Sequence, residues 1–553
     1  MAMTFTIATV RRLRQLSMVF SPSFKVKASL GMQPFATMNS SHVNNGTQVD
    51  GSFLASTFSD IDSNLLTSEA KCSSFIEFYK NLDPEKKGPF LCALARSFGF
   101  EKETVMGCAS GISTAVEKSG ASFYVAADRM RTALSPKFKT LFVHIGRVKD
   151  GVKFLVDLRA DVLNCRMMSH NEMECALYQE LNATLKELLM LWFTVGFLNL
   201  ERITWTSPCD LVQKVSNYEA VHKIRTLEDI KRRLGPYRRC YIFTHNSMPR
   251  EPVVVLHTAL MSEIAASIHS IILSPRYRSL YTEGYPDFYS VETRSPPGLP
   301  LTPTNPEPQE PMQGASVPSS SFSASLLDED KEDPTQISCA VFYSITSTQK
   351  GLHGVEMGNY LIKSVVRKLQ EEFPHLQKFS SLSPIPGFRD WLLFNVNHNI
   401  NARNAGEEPQ SPILLPEEVT SLRPFKLASQ ASVLEFFKDQ LLTHDWYRDQ
   451  NVKEVMKGPL LRLCAHYLYV EKRRKLALNP VANFHLSNGA QLFRINFLAD
   501  TTHRGLQQSC SMMVNYRYFL EFTEYNSRNY VENQQISVSE SVLNLLNPQQ
   551  GGS

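Results

Sequence analysis

Apolar residues fall at helical spacing through the first third of the chain and in short β-branched runs after it. Phe75, Phe78 and Tyr79 recur on one side of a helical period, with Lys80 on the other. The clearest stripe is Leu177, Tyr178, Leu181, Leu185, Leu188, Leu189 and Trp192. Steps of three and four residues put these side chains on one helix face. Residues 55–194 are therefore predicted as a helix bundle that serves packing and oligomerisation. From about residue 195 the period shortens. The runs 239–243, 253–257 and 340–345 are strand signals. Between the second and third of them, residues 286–334 hold ten of the thirty prolines and the run Ser319-Ser320-Ser321. That composition predicts a disordered surface insertion. A second, polar insertion is expected at about 397–412, and a short helix with a loose tail over 536–553.

Composition bounds the rest. A chain of 553 residues is too long for one ordinary core. With 43% hydrophobic and 20% charged residues it has the profile of a soluble globular protein. The net charge of +4 is unevenly placed. No acidic residue precedes Asp50, while Arg11, Arg12, Arg14, Lys25 and Lys27 do, which leaves the remainder at −1. Residues 1–49 are expected to be a disordered organelle-targeting segment. The mitochondrial matrix is the expected destination, with chloroplast, peroxisome or cytosol open through a shorter product begun at Met32 or Met38. A near-neutral body argues against nucleic-acid binding. The longest apolar run, about 188–200, is too short to span a bilayer. The ten cysteines show no zinc spacing and are expected to be reduced, with Cys209 a candidate for a bridge between subunits.

One stretch carries candidate chemistry. A predicted strand at 340–346 feeds Gln349-Lys350-Gly351-Leu352-His353-Gly354-Val355-Glu356-Met357-Gly358-Asn359 and then an amphipathic helix. Glycines before a helix N-terminus let backbone N–H groups approach a phosphate, although the same residues also make plain turns. The loop fits neither the Walker nor the dinucleotide pattern. It is loosely similar to the pyrophosphate loop of the acetyltransferase (GNAT) superfamily.

Several blocks are more specific. They are Tyr-Arg-Arg-Cys-Tyr at 237–241, Gly-Val-Glu-Met-Gly at 354–358 and Ser-Ser-Leu-Ser-Pro-Ile-Pro-Gly-Phe at 380–388. Asn-Pro-Val-Ala-Asn-Phe-His-Leu-x-Asn-Gly-Ala at 479–490 and Met-Val-Asn-Tyr-Arg-Tyr at 513–518 complete the set. In these blocks and their order, over about 55–535, the chain resembles the malonyl-CoA decarboxylases. The resemblance implies an α+β fold: an N-terminal helix bundle followed by a GNAT-like catalytic domain over 195–535. It implies catalytic roles for Ser383 and His485 and an acyl-CoA-binding loop over His353, Gly354, Val355, Glu356, Met357, Gly358 and Asn359. It also implies a tyrosine near the site at Tyr518, a malonyl-CoA substrate, no metal or other cofactor, and a homo-oligomer, dimer or tetramer.

The residue types suit that chemistry. Loss of CO2 leaves an enolate that needs oxyanion stabilisation and then a proton. A histidine of ordinary pKa, about 6.5, suits proton donation near neutrality. Ser383 would orient the carboxylate or relay the proton; both roles stay open. Glu356 would orient His485 or a substrate group, or serve only as a carboxylate at a helix start. His257 and His353 are weaker candidates, since nothing in the sequence pairs them with an acid. Lys363, Arg367 and Lys368 would meet CoA phosphates or form a solvated helix face. Two other readings fit the same residues: a GNAT-type acyl-CoA N-acyltransferase, and a non-catalytic helical scaffold.

Overall fold

The computed structural model describes residues 47–58, 69–118, 120–272, 332–355, 360–407, 409, 411–427, 429–430 and 432–546. The chain divides into a short unit, Met1–Phe53, and a large one, Leu54–Ser553. Helix α1 (Thr47–Phe58) runs across the division. The expected targeting segment lies outside the described residues up to position 46, as does the proline-rich stretch from 286 to 331. Its far end belongs to the fold, however. Glu332 sits against Arg239, and Pro334 opens a helical turn.

The large unit up to residue 192 is helical, through α2 (Glu69–Lys80), α3 (Pro84–Phe98), α4 (Lys102–Lys118), α5 (Ala121–Ala133), α6 (Lys137–Ile145), α7 (Gly151–Met168) and α8 (Glu172–Trp192). The predicted stripe is the buried face of α8, with Tyr178, Leu181, Leu185, Leu188 and Leu189 inside. Each such leucine contributes roughly 2 kcal/mol of burial. Asn171 caps α8 through the N–H groups of Met173 and Glu174, and acidic residues fill its first turn.

After α8 come β1 (Leu198–Ile203), α9 (Cys209–Tyr218), α10 (Leu227–Leu234), β2 (Arg238–His245), β3 (Met248–Met261) and β4 (Cys339–Ser347). β1 to β4 pair antiparallel in sequence order. Helix α11 (Tyr360–Glu372) then crosses over to β5 (Lys378–Ser381), which lies parallel to β4. A parallel pair requires such a crossover. β6 (Ser383–Pro384) continues β5 after one residue. β7 (Gln491–Asn496) and β8 (Met513–Tyr518) close the sheet. Its order among the described residues is β1-β2-β3-β4-β5-β8-β6, with β7 on the other edge of β8. Helices α12 (Phe388–Asn404), α13 (Val433–Thr443), α14 (Gln450–Tyr469), α15 (Pro480–Ser487) and α16 (Thr523–Asn533) accompany it.

The halves share a core. Val152, Val156, Leu189 and Phe193 pack in the same cluster as Phe243, Leu256 and Phe342 of the sheet. A buried polar tie reinforces this contact. The Arg159 guanidinium donates to Asn182 Oδ1 (3.1 Å), to the Gly351 carbonyl and to the His353 carbonyl (3.0 Å). At Gly351 a Cβ would stand 1.8 Å from the Val156 carbonyl oxygen. This glycine therefore serves close approach to α7 rather than to an anion.

One sequence expectation changes. The polar stretch from 397 is helical to Asn404, because Leu392, Val396 and Asn399 keep a buried face and Asn399 Oδ1 accepts from Ile413 N. The segment from 536 is anchored before its end. Leu492 bonds the backbone on both sides of Val538, and the helix Glu540–Leu546 buries Val542.

Candidate active site

Ser383 and His485 lie 102 residues apart in sequence and meet at 2.9 Å, Oγ to Nε2. Each is delivered by a separate local device. Ser383 follows the one-residue break between β5 and β6, both of which pair with β8. Leu382 N still donates to Phe342 O (2.9 Å), while Ser383 is already paired with Val514. His485 lies on the last turn of α15. Asn479 caps that helix through Ala482 N (2.9 Å) and donates its amide to Pro386 O (2.9 Å). Tyr467 Oη donates to the same carbonyl at 3.0 Å. One buried asparagine thus fixes the histidine helix against the Ser-Pro-Ile-Pro turn. Gly489 ends α15 at φ 80°, where a Cβ would stand 1.9 Å from Thr523 O, so the chain turns beneath α16.

The Met-Val-Asn-Tyr-Arg-Tyr block supplies the surroundings. Tyr518 Oη is 2.7 Å from His485 Nδ1. The Tyr516 ring stacks on the imidazole, with centroids 4.6 Å apart and planes 18° apart. Asn515 is fully buried and satisfied. Its Oδ1 accepts from Arg494 and Asn496, and its Nδ2 donates to the carbonyls of Ala265 and Ser381. Ser381 is a site residue that the sequence reading did not single out. Its Oγ accepts from Ser383 Oγ at 2.8 Å and from Tyr516 N at 3.3 Å. The signal was a second serine two residues from the first, which a bare motif does not distinguish from a turn serine.

Burial changes the expected electrostatics. His485 is enclosed, and loss of hydration pushes its pKa down to about 3, not the ordinary value near 6.5. The resting imidazole is therefore neutral at physiological pH. Burial pushes the Tyr518 phenol well above its usual value. Tyr518 also lines a groove of about 320 Å³ with Lys363, Arg367, Asn488, Thr523 and Glu524. Asn488 is buried there and its Oδ1 has no partner among the described residues.

The remaining candidates separate. His353 and Gly354 are exposed and Val355 is buried, while Glu356, Met357, Gly358 and Asn359 lie outside the described residues. Lys363 pairs with Glu524 at 3.2 Å and Lys368 with Glu371 at 2.7 Å. His257 does have an acid: its Nε2 is 3.3 Å from Glu219 Oε2, both side chains being fully buried. It shares the strand face of Val255, which packs with Cys240 and Ile242 in a cluster separate from the main core that Tyr516 and Tyr518 join. No cluster of three or more metal-ligating side chains occurs among the described residues. No described helix is long and apolar enough to cross a membrane.

Comparison with known proteins agrees with this layout. Residues 98–193 match the malonyl-CoA decarboxylase N-terminal domain, and residues 196–293 and 316–552 match the C-terminal domain. The mitochondrial malonyl-CoA decarboxylase of Rattus norvegicus is 40% identical over 86% of this chain and 85% of its own. That of Anser anser anser is 38% identical over 86% and 83%. Among solved structures, malonyl-CoA decarboxylase from Rhodopseudomonas palustris superposes with a TM-score of 0.66 at 28% identity, covering 89% of this chain and 98% of that one. The Agrobacterium vitis structure gives 0.67 at 26%, covering 91% and 100%. The chain belongs to the malonyl-CoA decarboxylase family of carboxy-lyases.

Proposed function

We propose that this chain converts malonyl-CoA to acetyl-CoA and CO2 at Ser383 and His485. The observation that carries the reading is the buried chain Tyr518–His485–Ser383, with steps of 2.7 and 2.9 Å, whose outer member lines the groove. The electrons of the breaking C–C bond pass into the thioester, forming an enolate, so no further electron sink is required. Ser383 fixes the malonyl carboxylate across the thioester plane or hands on the proton. As CO2 departs, the His485 Nε2 proton passes to the α-carbon. Tyr518 stands on the Nδ1 side, where a replacement proton enters from the groove.

The wider reading has separate support. The sequence β4, loop, α11 and parallel β5 is compatible with a GNAT-like catalytic half. Five basic and no acidic residues before Asp50, and relatives named as mitochondrial, support a mitochondrial location. Helix α5 buries none of its residues and exposes Phe123, Tyr124 and Val125, which supports a homo-oligomer contact there. The deciding experiment supplies malonyl-CoA with no acceptor, in D2O. Acetyl-CoA carrying one deuterium, and CO2, are expected in equal amounts. Absence of both overturns the reading.

A further inference from the structure

Hydrogen counting around Ser383 leads one step further. Among the described residues its Oγ has two hydrogen-bond partners, Ser381 Oγ at 2.8 Å and His485 Nε2 at 2.9 Å, and the hydroxyl carries one hydrogen. The geometry at Ser381 makes that oxygen the acceptor, and the Tyr516 N–H converges on it as well. Ser383 must then accept from His485, which requires the hydrogen on Nε2. A neutral ring has only one N–H, so Nδ1 is bare and accepts from the Tyr518 hydroxyl at 2.7 Å. All three bonds run in one direction, from Tyr518 to Ser381.

We propose that Ser381 is a positioning residue: by accepting the Ser383 hydroxyl hydrogen it fixes His485 as the Nε2–H tautomer, on the nitrogen that faces the reacting serine. The inference rests on the decarboxylase reading only for its consequence in turnover; the tautomer is a property of the resting site. The chain is closed at one end and open at the other. Ser381 is fully buried, with its carbonyl held by Asn515 and its Oγ by the Tyr516 N–H. Tyr518 lines the groove. Protons are therefore replaced from the Tyr518 side. Removing the Ser381 oxygen frees the Ser383 hydrogen to turn to Nε2. The ring hydrogen then moves to Nδ1, and the donor points away from the substrate.

The test is nitrogen NMR of protein carrying 15N-histidine, with the His485 signals assigned by difference against His485→Asn. In the resting wild type at neutral pH the proposal requires a protonated Nε2 and an unprotonated Nδ1. The opposite tautomer in wild type overturns the proposal, whatever the fate of any variant. Ser381→Ala is expected to invert the tautomer and to lower kcat about tenfold or more, with KM within about twofold. Ser381→Thr keeps the oxygen and should recover the wild-type tautomer and most of the lost rate. An unchanged tautomer and rate in a folded Ser381→Ala protein also overturns the assignment. If the wild type fails to decarboxylate malonyl-CoA yet shows the Nε2–H ring, the functional reading fails and the tautomer assignment stands.

Discussion

Tyr518 Oη and Ser383 Oγ flank the His485 ring, at 2.7 Å from Nδ1 and 2.9 Å from Nε2. Both ring nitrogens are thus engaged inside a site that burial keeps uncharged, and the two flanking hydroxyls are unequal. Tyr518 lines the groove, whereas Ser383 leads inward to Ser381. The order of the three residues defines what each substitution should do.

His485→Asn keeps a hydrogen-bonding side chain near Ser383 but removes the transferable ring proton. Steady-state assays should show kcat reduced on the order of 10² to 10⁴, with malonyl-CoA binding retained by calorimetry. Turnover within a few-fold of wild type would remove His485 from the reaction.

Tyr518→Phe deletes the hydroxyl that serves Nδ1 and leaves the packing of the ring. If proton replacement runs through Tyr518, kcat falls about tenfold or more, KM stays within about twofold, and the solvent deuterium isotope effect on kcat rises. A normal rate and isotope effect would show that protons reach His485 by another route.

Acid should weaken the fold below about pH 6.5. His485 and His257 are buried and held neutral, with pKa values pushed down by lost hydration to about 3 and 4. Their unfolded values are near 6.5, so between these limits the unfolded chain binds more protons and stability drops as pH falls. One unit below the unfolded pKa, each group costs about 1.4 kcal/mol. Urea unfolding at pH 7.5 and pH 5.5 should show a lower midpoint at pH 5.5. Equal midpoints would contradict neutral burial of these rings.

The contact between the helices and the sheet depends on Arg159 and Gly351. Arg159→Met leaves the buried Gly351 carbonyl and the part-buried His353 carbonyl without their donor, at a cost of about 2–3 kcal/mol. Gly351→Ala drives a methyl group into the Val156 carbonyl and should cost about as much. Because both act on one contact, denaturant unfolding of the double variant should show less than the sum. Full additivity would indicate two independent contacts.

Arg239 offers a third stability test. It is buried between Glu332 and Glu372, each 2.6 Å from its Nη2, and its guanidinium lies over the Phe373 ring. Arg239→Leu leaves Glu332 without its cation and Glu372 with Arg202 alone, and should lower stability by about 2–3 kcal/mol. Adding Glu332→Gln and Glu372→Gln should restore part of the loss, because the stranded charge is then gone.

The sequence by itself determined the elements whose physics is local. The leucine stripe of α8 fixes a buried helix face at any position in a fold. The β-branched runs fix β2, β3 and β4, because alternate side chains must find cover on either side. The motif blocks around Ser383 and His485 identified the family and singled out those two residues as candidates. Tertiary structure alone decided what surrounds them. Burial set the charge state of His485, which no linear pattern encodes, since desolvation depends on elements such as β8 and α15 that are remote in sequence. Packing also reassigned Gly351 from a supposed phosphate cradle to a contact with Val156, and gave His257 an acid in Glu219. Ser381 and the hydrogen-bond direction it sets come from distances among β5, β6, α15 and β8. Those distances exist only once the sheet has closed.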